Sequence, residues 1–169
     1  MNDMRTWLKT VFRLQAAALL SVFLTGTAWA TDNAAQPSNA ELVRQSFVNW
    51  QQGKGTTFDL LAPDAEWTVA GSSPVSGVYK GKQDFLERAV KPISARLASP
   101  IKPVVLSIVA EGDVVVVLWN GEATALDQQP YRNSYLWHLT FKDGQITQAK
   151  AFLDTYVLND LMERVKPEA

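Results

Sequence analysis

The sequence feature that most constrains the fold is an alternating stretch near the carboxyl end, YRNSYLWHLTF, at residues 131–141. Successive side chains of a β-strand point to opposite faces of the sheet, so alternate residues of this stretch share a face. One face carries Tyr135, Trp137, Leu139 and Phe141. His138, the only histidine of the chain, falls on the opposite face. The following Lys142-Asp143-Gly144 predicts a tight turn into a further strand, QITQAKAFLDT.

The rest of the chain predicts helices first and long strands last. Ser38 and Glu41 have the spacing of a capping box, which marks the start of an amino-terminal helix. A short helix is expected at 57–61, and apolar residues recur at helical spacing from Leu86 to Leu97 around Pro92. Two strands meet at Gly112-Asp113, and a terminal helix is expected at 156–165. Helices collected beside an antiparallel sheet predict an α+β domain.

Apolar and aromatic residues of several elements are expected on the same side of this sheet. Val115, Val117 and Trp119 share a face of one strand, and Trp67 and Val69 share a face of another. The apolar side of the first helix supplies Phe47 and Trp50. A volume enclosed by these side chains is either a solid core or a pocket, and the pattern alone leaves both open.

Residues 1–30 have the features of a secretory signal peptide. Basic residues precede an apolar run, and Ala28-Trp29-Ala30 fits a signal peptidase site. We therefore expect a signal peptide at 1–30, a flexible leader at 31–37 and one domain at 38–165, located in the periplasm or secreted. Membrane contact is then expected only during export. An uncleaved membrane anchor is the alternative, because the apolar run is near the minimum length for spanning a bilayer.

Composition excludes several classes of site. The chain has no cysteine and one histidine, which excludes disulfides and zinc sites built from these residues. Its formal net charge is −1 without a basic run, so nucleic acid is not expected as a partner. No nucleophile motif, phosphate-binding loop or redox centre is recognisable, and we expect no cofactor and no metal.

Three segments together resemble a known superfamily. They are LLAPDAEWTV, SGVYKGKQDFLE and YRNSYLWHLTFKDGQITQAKAFLDT. The pattern is similar to the nuclear transport factor 2-like superfamily, in particular its SnoaL-like (polyketide cyclase-like) branch, over roughly residues 38–160. The resemblance implies a cone-shaped NTF2-like/cystatin-like α+β barrel, with amino-terminal helices packed on a curved antiparallel sheet. It also implies an apolar cavity and, in many members, a homodimer through the outer sheet face.

The catalytic acids and phenol of the better-known branches are missing here. The positions of the steroid isomerase set correspond approximately to Ser46, Val69 and Trp137, and the acid of the epoxide hydrolases corresponds to Ala151. Asp154, at the end of the last strand, is the remaining candidate for a general acid or base. Its alternative role is the cap of the terminal helix.

Two tyrosines are candidates for polarising a ligand oxygen. Tyr79 and Tyr135 could present hydroxyl groups to a carbonyl, or they are core aromatics with satisfied hydroxyls. His138 is expected on the outer face unless a bulge at Asn133 or Ser134 inverts the register. The predicted ligand-binding residues are Trp67, Val69, Val117, Trp119, Trp137, Leu139, Phe141, Phe47 and Trp50.

These observations predict a domain that binds or transforms a small hydrophobic molecule. Proton transfer, as in isomerases, cyclases or dehydratases, is the expected reaction type, with Asp154 as acid or base and Tyr79 or Tyr135 on the substrate oxygen. The alternative is a non-catalytic module that binds a ligand or a protein partner as a dimer. Fold resemblance does not decide between them.

Overall fold

The computed structural model describes residues 36–167, so the predicted signal peptide and most of the leader lie outside the described residues. The first helix, α1, spans Asn39–Gln51 and begins after Ser38, whose hydroxyl oxygen accepts from the Glu41 N–H at 3.2 Å. A 3-10 turn follows at Thr57–Leu60. The carboxyl-terminal helix, which we label α4, spans Thr155–Arg164. No helix in the described range is long and apolar enough to cross a membrane.

Six strands form one curved sheet within residues 36–167. They are β1 (Leu61–Val69), β2 (Gly77–Lys80), β3 (Lys102–Glu111), β4 (Val114–Thr124), β5 (Pro130–Lys142) and β6 (Gln145–Leu153). Their spatial order is β2-β1-β6-β5-β4-β3, and the sheet remains open between β2 and β3. β1 and β6 pair in parallel, whereas the other neighbours are antiparallel. The predicted α+β class is confirmed, with one parallel pair in the sheet.

Two prolines account for local departures from the predicted elements. Pro63, two residues after the predicted short helix, lies inside β1, where the pairing with β6 shifts register between Leu61 and Glu66. Proline has no N–H for a sheet ladder and is therefore tolerated at such an irregularity. Pro92 lies in a run made of α2 (Lys82–Phe85), a π-helical turn (Leu86–Val90) and α3 (Lys91–Ser94).

The π-helical turn directly precedes the turn that contains Pro92. Because proline cannot donate to the carbonyl four residues earlier, the regular hydrogen-bond ladder must adjust before it. The expected kink therefore takes the form of a wider helical turn. The chain leaves the helix after Ser94, and Leu97 makes an isolated bridge with Ala125 of the β4–β5 connection.

The alternation of β5 is confirmed along its whole length. Tyr135, Trp137, Leu139 and Phe141 are buried on the inner face, and His138 is exposed on the outer face. The register with β4 runs without a bulge past Asn133 and Ser134. The inner face is covered by α1, by the α2–α3 run and by α4, which contacts β5.

Candidate functional site

A cavity of about 480 Å³ lies between the inner face of the sheet and the helical cover. Its sheet wall consists of Trp67, Val69, Trp119, Tyr135, Trp137, Ala151 and Leu153. Its cover includes Trp50, Phe58, Phe85, Ala89, Val90, Ile93, Leu97, Ile101 and Leu158. The side chains of this wall are aromatic or aliphatic, as in most small-molecule sites.

Aromatic rings organise the cavity wall into two stacks. Trp67 stacks on Phe85 with ring centroids 4.3 Å apart, and Trp119 stacks on Tyr135 at 4.0 Å. Trp137 stands edge-on between them, 5.1 Å from Trp67 and 4.8 Å from Trp119. Offset-stacked and edge-to-face contacts of this kind fix ring positions, so the wall has a defined shape.

Some predicted ligand-binding residues line the cavity, and others do not. Trp50, Trp67, Val69, Trp119 and Trp137 border it. The remaining four are buried and do not border it: Phe47, Val117, Leu139 and Phe141. Phe47 instead borders a second space of about 350 Å³ between α1 and β3.

The two predicted tyrosines occupy different positions. Tyr79 is buried away from the cavity, and its hydroxyl donates to the Val75 carbonyl at 2.6 Å. Burial raises the pKa of Tyr79, and the nearby Arg88 guanidinium partly opposes this effect. Its hydroxyl is thus satisfied by the protein. Tyr135 borders the cavity.

Tyr135 belongs to a buried polar network at one end of the cavity. Its hydroxyl oxygen lies 3.0 Å from that of Tyr131, and Asn133 Nδ2 donates to the Tyr131 hydroxyl at 3.2 Å. Burial raises the pKa of Tyr135 well above its ordinary value of 10.0. At neutral pH Tyr135 is therefore a neutral hydroxyl, able to donate but unsuited to act as a base.

Asp154 lies at the start of α4 as its N-cap. Asp154 Oδ1 accepts from the backbone N–H groups of Tyr156 and Val157 at 3.0 and 3.3 Å. The Asp154 backbone pairs with Asn133, because its N–H donates to Asn133 Oδ1 and its carbonyl accepts from Asn133 Nδ2. The carboxylate is not among the groups that border the cavity. The structure thus places Asp154 in the capping role, and its acid–base role stays a prediction.

Comparison with known proteins gives the family. The model of the SnoaL-like domain matches residues 43–149, which is more than half of the chain. The chain belongs to the SnoaL-like domain family. A search of the curated proteins found no match.

Solved structures share the fold of this SnoaL-like domain. An NTF2-like protein of unknown function from Burkholderia pseudomallei is 19% identical with a TM-score of 0.62, covering 75% of this chain and 99% of that chain. TerC, co-crystallised with polyporic acid, is 21% identical with a TM-score of 0.60, covering 74% and 98%. A Catenulispora acidiphila protein with a ketosteroid isomerase-like fold, in complex with trimethylamine, is 15% identical with a TM-score of 0.52, covering 66% and 83%. At these identities the similarities show a shared fold.

Gly121 allows the polar end of the SnoaL-like domain to pack closely. A Cβ at this position would lie 2.9 Å from Ile101 Cγ2, 3.0 Å from Trp119 Cζ3 and 3.1 Å from Tyr135 Cε2. Such distances are shorter than normal van der Waals contact, so a larger residue would displace the stacked rings. Glycine here is explained by close approach of the two stacked side chains.

The cavity of the SnoaL-like domain has no charged wall. Within residues 36–167, none of the side chains that border it is Asp, Glu, Lys, Arg or His. The described residues also contain no group of three His, Cys, Asp or Glu side chains placed to hold a metal ion. Burying an ion in such surroundings is costly, so the wall favours an uncharged molecule.

Sequence reasoning did not predict the buried hydrogen bonds of Tyr131 and Asn133 or the contribution of the segment at 93–101. The signal for the first two was present, because the alternation of β5 places both on the inner face. An amide at an inward position must find hydrogen-bond partners, which makes it a marker of a polar site. The segment at 93–101 has no equally clear signal, because it forms a wall only through its position over the sheet.

Proposed function

We propose that this SnoaL-like domain binds a small, neutral and mainly apolar molecule in the cavity. The observation that carries the proposal is a space of about 480 Å³ with an aromatic wall and no ionisable side chain besides Tyr135. Apolar contact drives binding to such a wall, and the Tyr135 hydroxyl supplies a polar group for a ligand oxygen.

A neutral and a charged probe of the same skeleton test this proposal. Isothermal titration calorimetry would compare 9-fluorenone with 9-fluorenone-4-carboxylate. We expect the ketone to bind and the carboxylate to bind at least about ten-fold more weakly, because no cation faces the cavity. Equal binding of both compounds, or binding of neither, would contradict the proposal.

A cavity-filling variant locates the binding. Ala151 borders the cavity from β6, whereas the adjacent Lys150 is exposed on the outer face. Ala151→Leu should reduce 9-fluorenone binding, and the control Lys150→Leu should leave it unchanged. The opposite pattern would place the bound probe on the outer face.

Proton-transfer catalysis is a second candidate, supported by Tyr135 on the cavity wall and by the isomerase-like fold of a structural neighbour. Tyr135 could polarise a carbonyl oxygen, as buried phenols do in such reactions. Proton abstraction also needs a base, and no carboxylate or imidazole borders the cavity in the described part of the chain. Binding is therefore the better-supported function.

We also infer that two copies of the domain pair through the outer sheet face. Leu118, Leu136 and Phe152 are opposite one another across β4, β5 and β6, and each is more than a third exposed. Exposed apolar rows of this kind favour a partner surface of the same chemistry. Sedimentation equilibrium should show a dimer that Leu136→Lys converts to a monomer, whereas a monomeric parent protein would contradict this inference.

Export is supported by the sequence of residues 1–30 alone. Cleavage after Ala30 would release the mature domain into the periplasm or the medium. Amino-terminal sequencing of the protein recovered from its host should begin at Thr31, and a start at Met1 in the cytosol would contradict export.

A further inference from the structure

In the polar network beside the cavity, the orientation of the Asn133 side-chain amide determines which groups donate and which accept. Asn133 Oδ1 accepts from the Asp154 N–H at 3.0 Å, and Asn133 Nδ2 donates to the Asp154 carbonyl at 2.9 Å. Rotating the amide by half a turn would bring two donors together and two acceptors together, so only one orientation fits. The second Nδ2 hydrogen therefore points to the Tyr131 hydroxyl, 3.2 Å away.

The direction continues from Tyr131 to Tyr135. Tyr131 is 1% exposed, and its hydroxyl has two partners within hydrogen-bond distance among residues 36–167, Asn133 Nδ2 and Tyr135 Oη. Asn133 Nδ2 can only donate, so the Tyr135 oxygen is the one acceptor available for the Tyr131 hydrogen. Because an orphaned buried hydroxyl hydrogen is unfavourable, Tyr131 donates and Tyr135 accepts.

The hydrogen of Tyr135 is then left without an acceptor among residues 36–167. Tyr135 borders the cavity, and its stacking partner Trp119 has a buried Nε1–H that also lacks an acceptor in the described residues. Burial keeps the phenol protonated, because it raises the pKa of Tyr135 well above its ordinary value. Tyr135 therefore keeps a hydroxyl hydrogen that is free for a bound molecule.

We propose that Tyr135 donates its hydroxyl hydrogen to a carbonyl oxygen of the bound molecule, and that Asn133 and Tyr131 are positioning residues that fix this direction. The inference rests on the proposed function, and it narrows the ligand class to neutral apolar ketones and related carbonyl compounds. An alcohol of the same shape is a poorer ligand, because its own hydroxyl hydrogen finds no acceptor beside the Tyr135 hydroxyl, which is already the donor.

Three probes with one rigid skeleton test the ligand class. 9-Fluorenone, 9-fluorenol and fluorene differ only at one carbon, and calorimetric titration measures each affinity. We expect the ketone to bind about ten-fold more tightly than the hydrocarbon, with the alcohol weaker than the ketone. Tyr135→Phe should remove the preference for the ketone, so that the ketone and the hydrocarbon bind this variant about equally. Equal binding of ketone and hydrocarbon to the parent protein, or a preference that survives in Tyr135→Phe, would overturn the inference.

A variant that reverses the donors and acceptors of the network tests the proposed hydrogen-bond direction. In Asn133→Asp the carboxylate only accepts, so Tyr131 would donate to it, Tyr135 would donate to Tyr131, and the cavity would receive an acceptor. We expect this variant to bind 9-fluorenol more tightly than 9-fluorenone. A structural role alone would weaken both probes without exchanging their order, so an unchanged order would overturn the inference.

Tyr131→Phe provides a second variant should Asn133→Asp fail to fold. Without the Tyr131 hydroxyl, the direction at Tyr135 is no longer fixed, and ketone and alcohol should bind about equally. A retained ketone preference in Tyr131→Phe would contradict the role of Tyr131. Failure of the proposed function is a separate result: in that case fluorene and both derivatives fail to bind the parent protein, and this inference falls with it.

Discussion

The inner face of β5 has a packed half and an open half. Toward Lys142, Leu139 and Phe141 join Val43 and Phe47 of α1 in one buried cluster. Toward Pro130, Tyr135 borders the cavity under the segment at 93–101 and α4. The same alternation places all of these side chains inward, so the difference between core and cavity comes from the element that covers them.

The packed half should be the more sensitive to loss of side-chain volume. Leu139 is fully buried there, so Leu139→Ala should lower the free energy of unfolding by about 2–5 kcal/mol. Leu153 borders the cavity and already lacks neighbours on one side, so Leu153→Ala should cost at least about 1 kcal/mol less. Urea denaturation measures both. Equal losses would indicate that the open half is packed as tightly as the other.

The open half should weaken the protein at alkaline pH. Above pH 10 the unfolded chain loses the Tyr135 proton, whereas the folded protein retains it because its pKa is raised. The unfolded state then binds fewer protons, so stability that is present below pH 10 is lost as pH rises. Tyr135→Phe should reduce the slope of the unfolding free energy against pH by about 1.4 kcal/mol per unit.

Tyr156 provides the matched control for this measurement. It is 84% exposed, so Tyr156→Phe should leave the alkaline slope unchanged. Identical slopes in the parent protein and in Tyr135→Phe would show that the Tyr135 phenol titrates alike in both states.

The helix that closes the open half depends on its cap. Asp154→Ala removes the acceptor of two backbone N–H groups and should cost about 1 kcal/mol of unfolding free energy. Asp154→Asn keeps a side-chain oxygen as the acceptor, so it should lower the free energy of unfolding by only a few tenths of a kcal/mol, that is, by less than about 0.5 kcal/mol. The same asparagine variant tests the predicted acid–base role, since an amide transfers no proton. Turnover lost in Asp154→Asn, with stability retained, would support a catalytic Asp154.

The smallest effect is expected on the opposite side of the sheet. His138 belongs to the same strand as both halves but is exposed on the outer face. At protein concentrations low enough for the domain to be monomeric, His138→Ala should change the free energy of unfolding by less than about 0.5 kcal/mol. A larger loss that grows with protein concentration would show that another copy covers this face.

The sequence correctly predicted which strand side chains point inward, but it could not predict where the space between the sheet and the helices is filled and where it is a cavity. Alternation correctly placed Trp137 inward and His138 outward, because side-chain direction in a strand is a local property. Whether Trp137 borders a space depends on α1 and the segment at 93–101, which are distant in sequence. For this reason Leu139 and Trp137 looked equivalent in the sequence, although only Trp137 borders the cavity.

The roles of the polar residues also depend on partners that are distant in sequence. For both Tyr79 and Asp154 the sequence left two roles open, and the structure adds the hydrogen-bond partners of each residue. The Val75 carbonyl and the amides of α4 are those partners. Asn133 was the clearest missed signal, because an inward amide demands hydrogen bonds that only the folded chain identifies.

A crystal structure of the protein grown with 9-fluorenone tests the central claim most directly. We expect one molecule in the cavity, against its aromatic wall, with its carbonyl oxygen within hydrogen-bond distance of the Tyr135 hydroxyl. Electron density for the compound only on the outer face of the sheet, with an empty cavity, would contradict binding in the cavity.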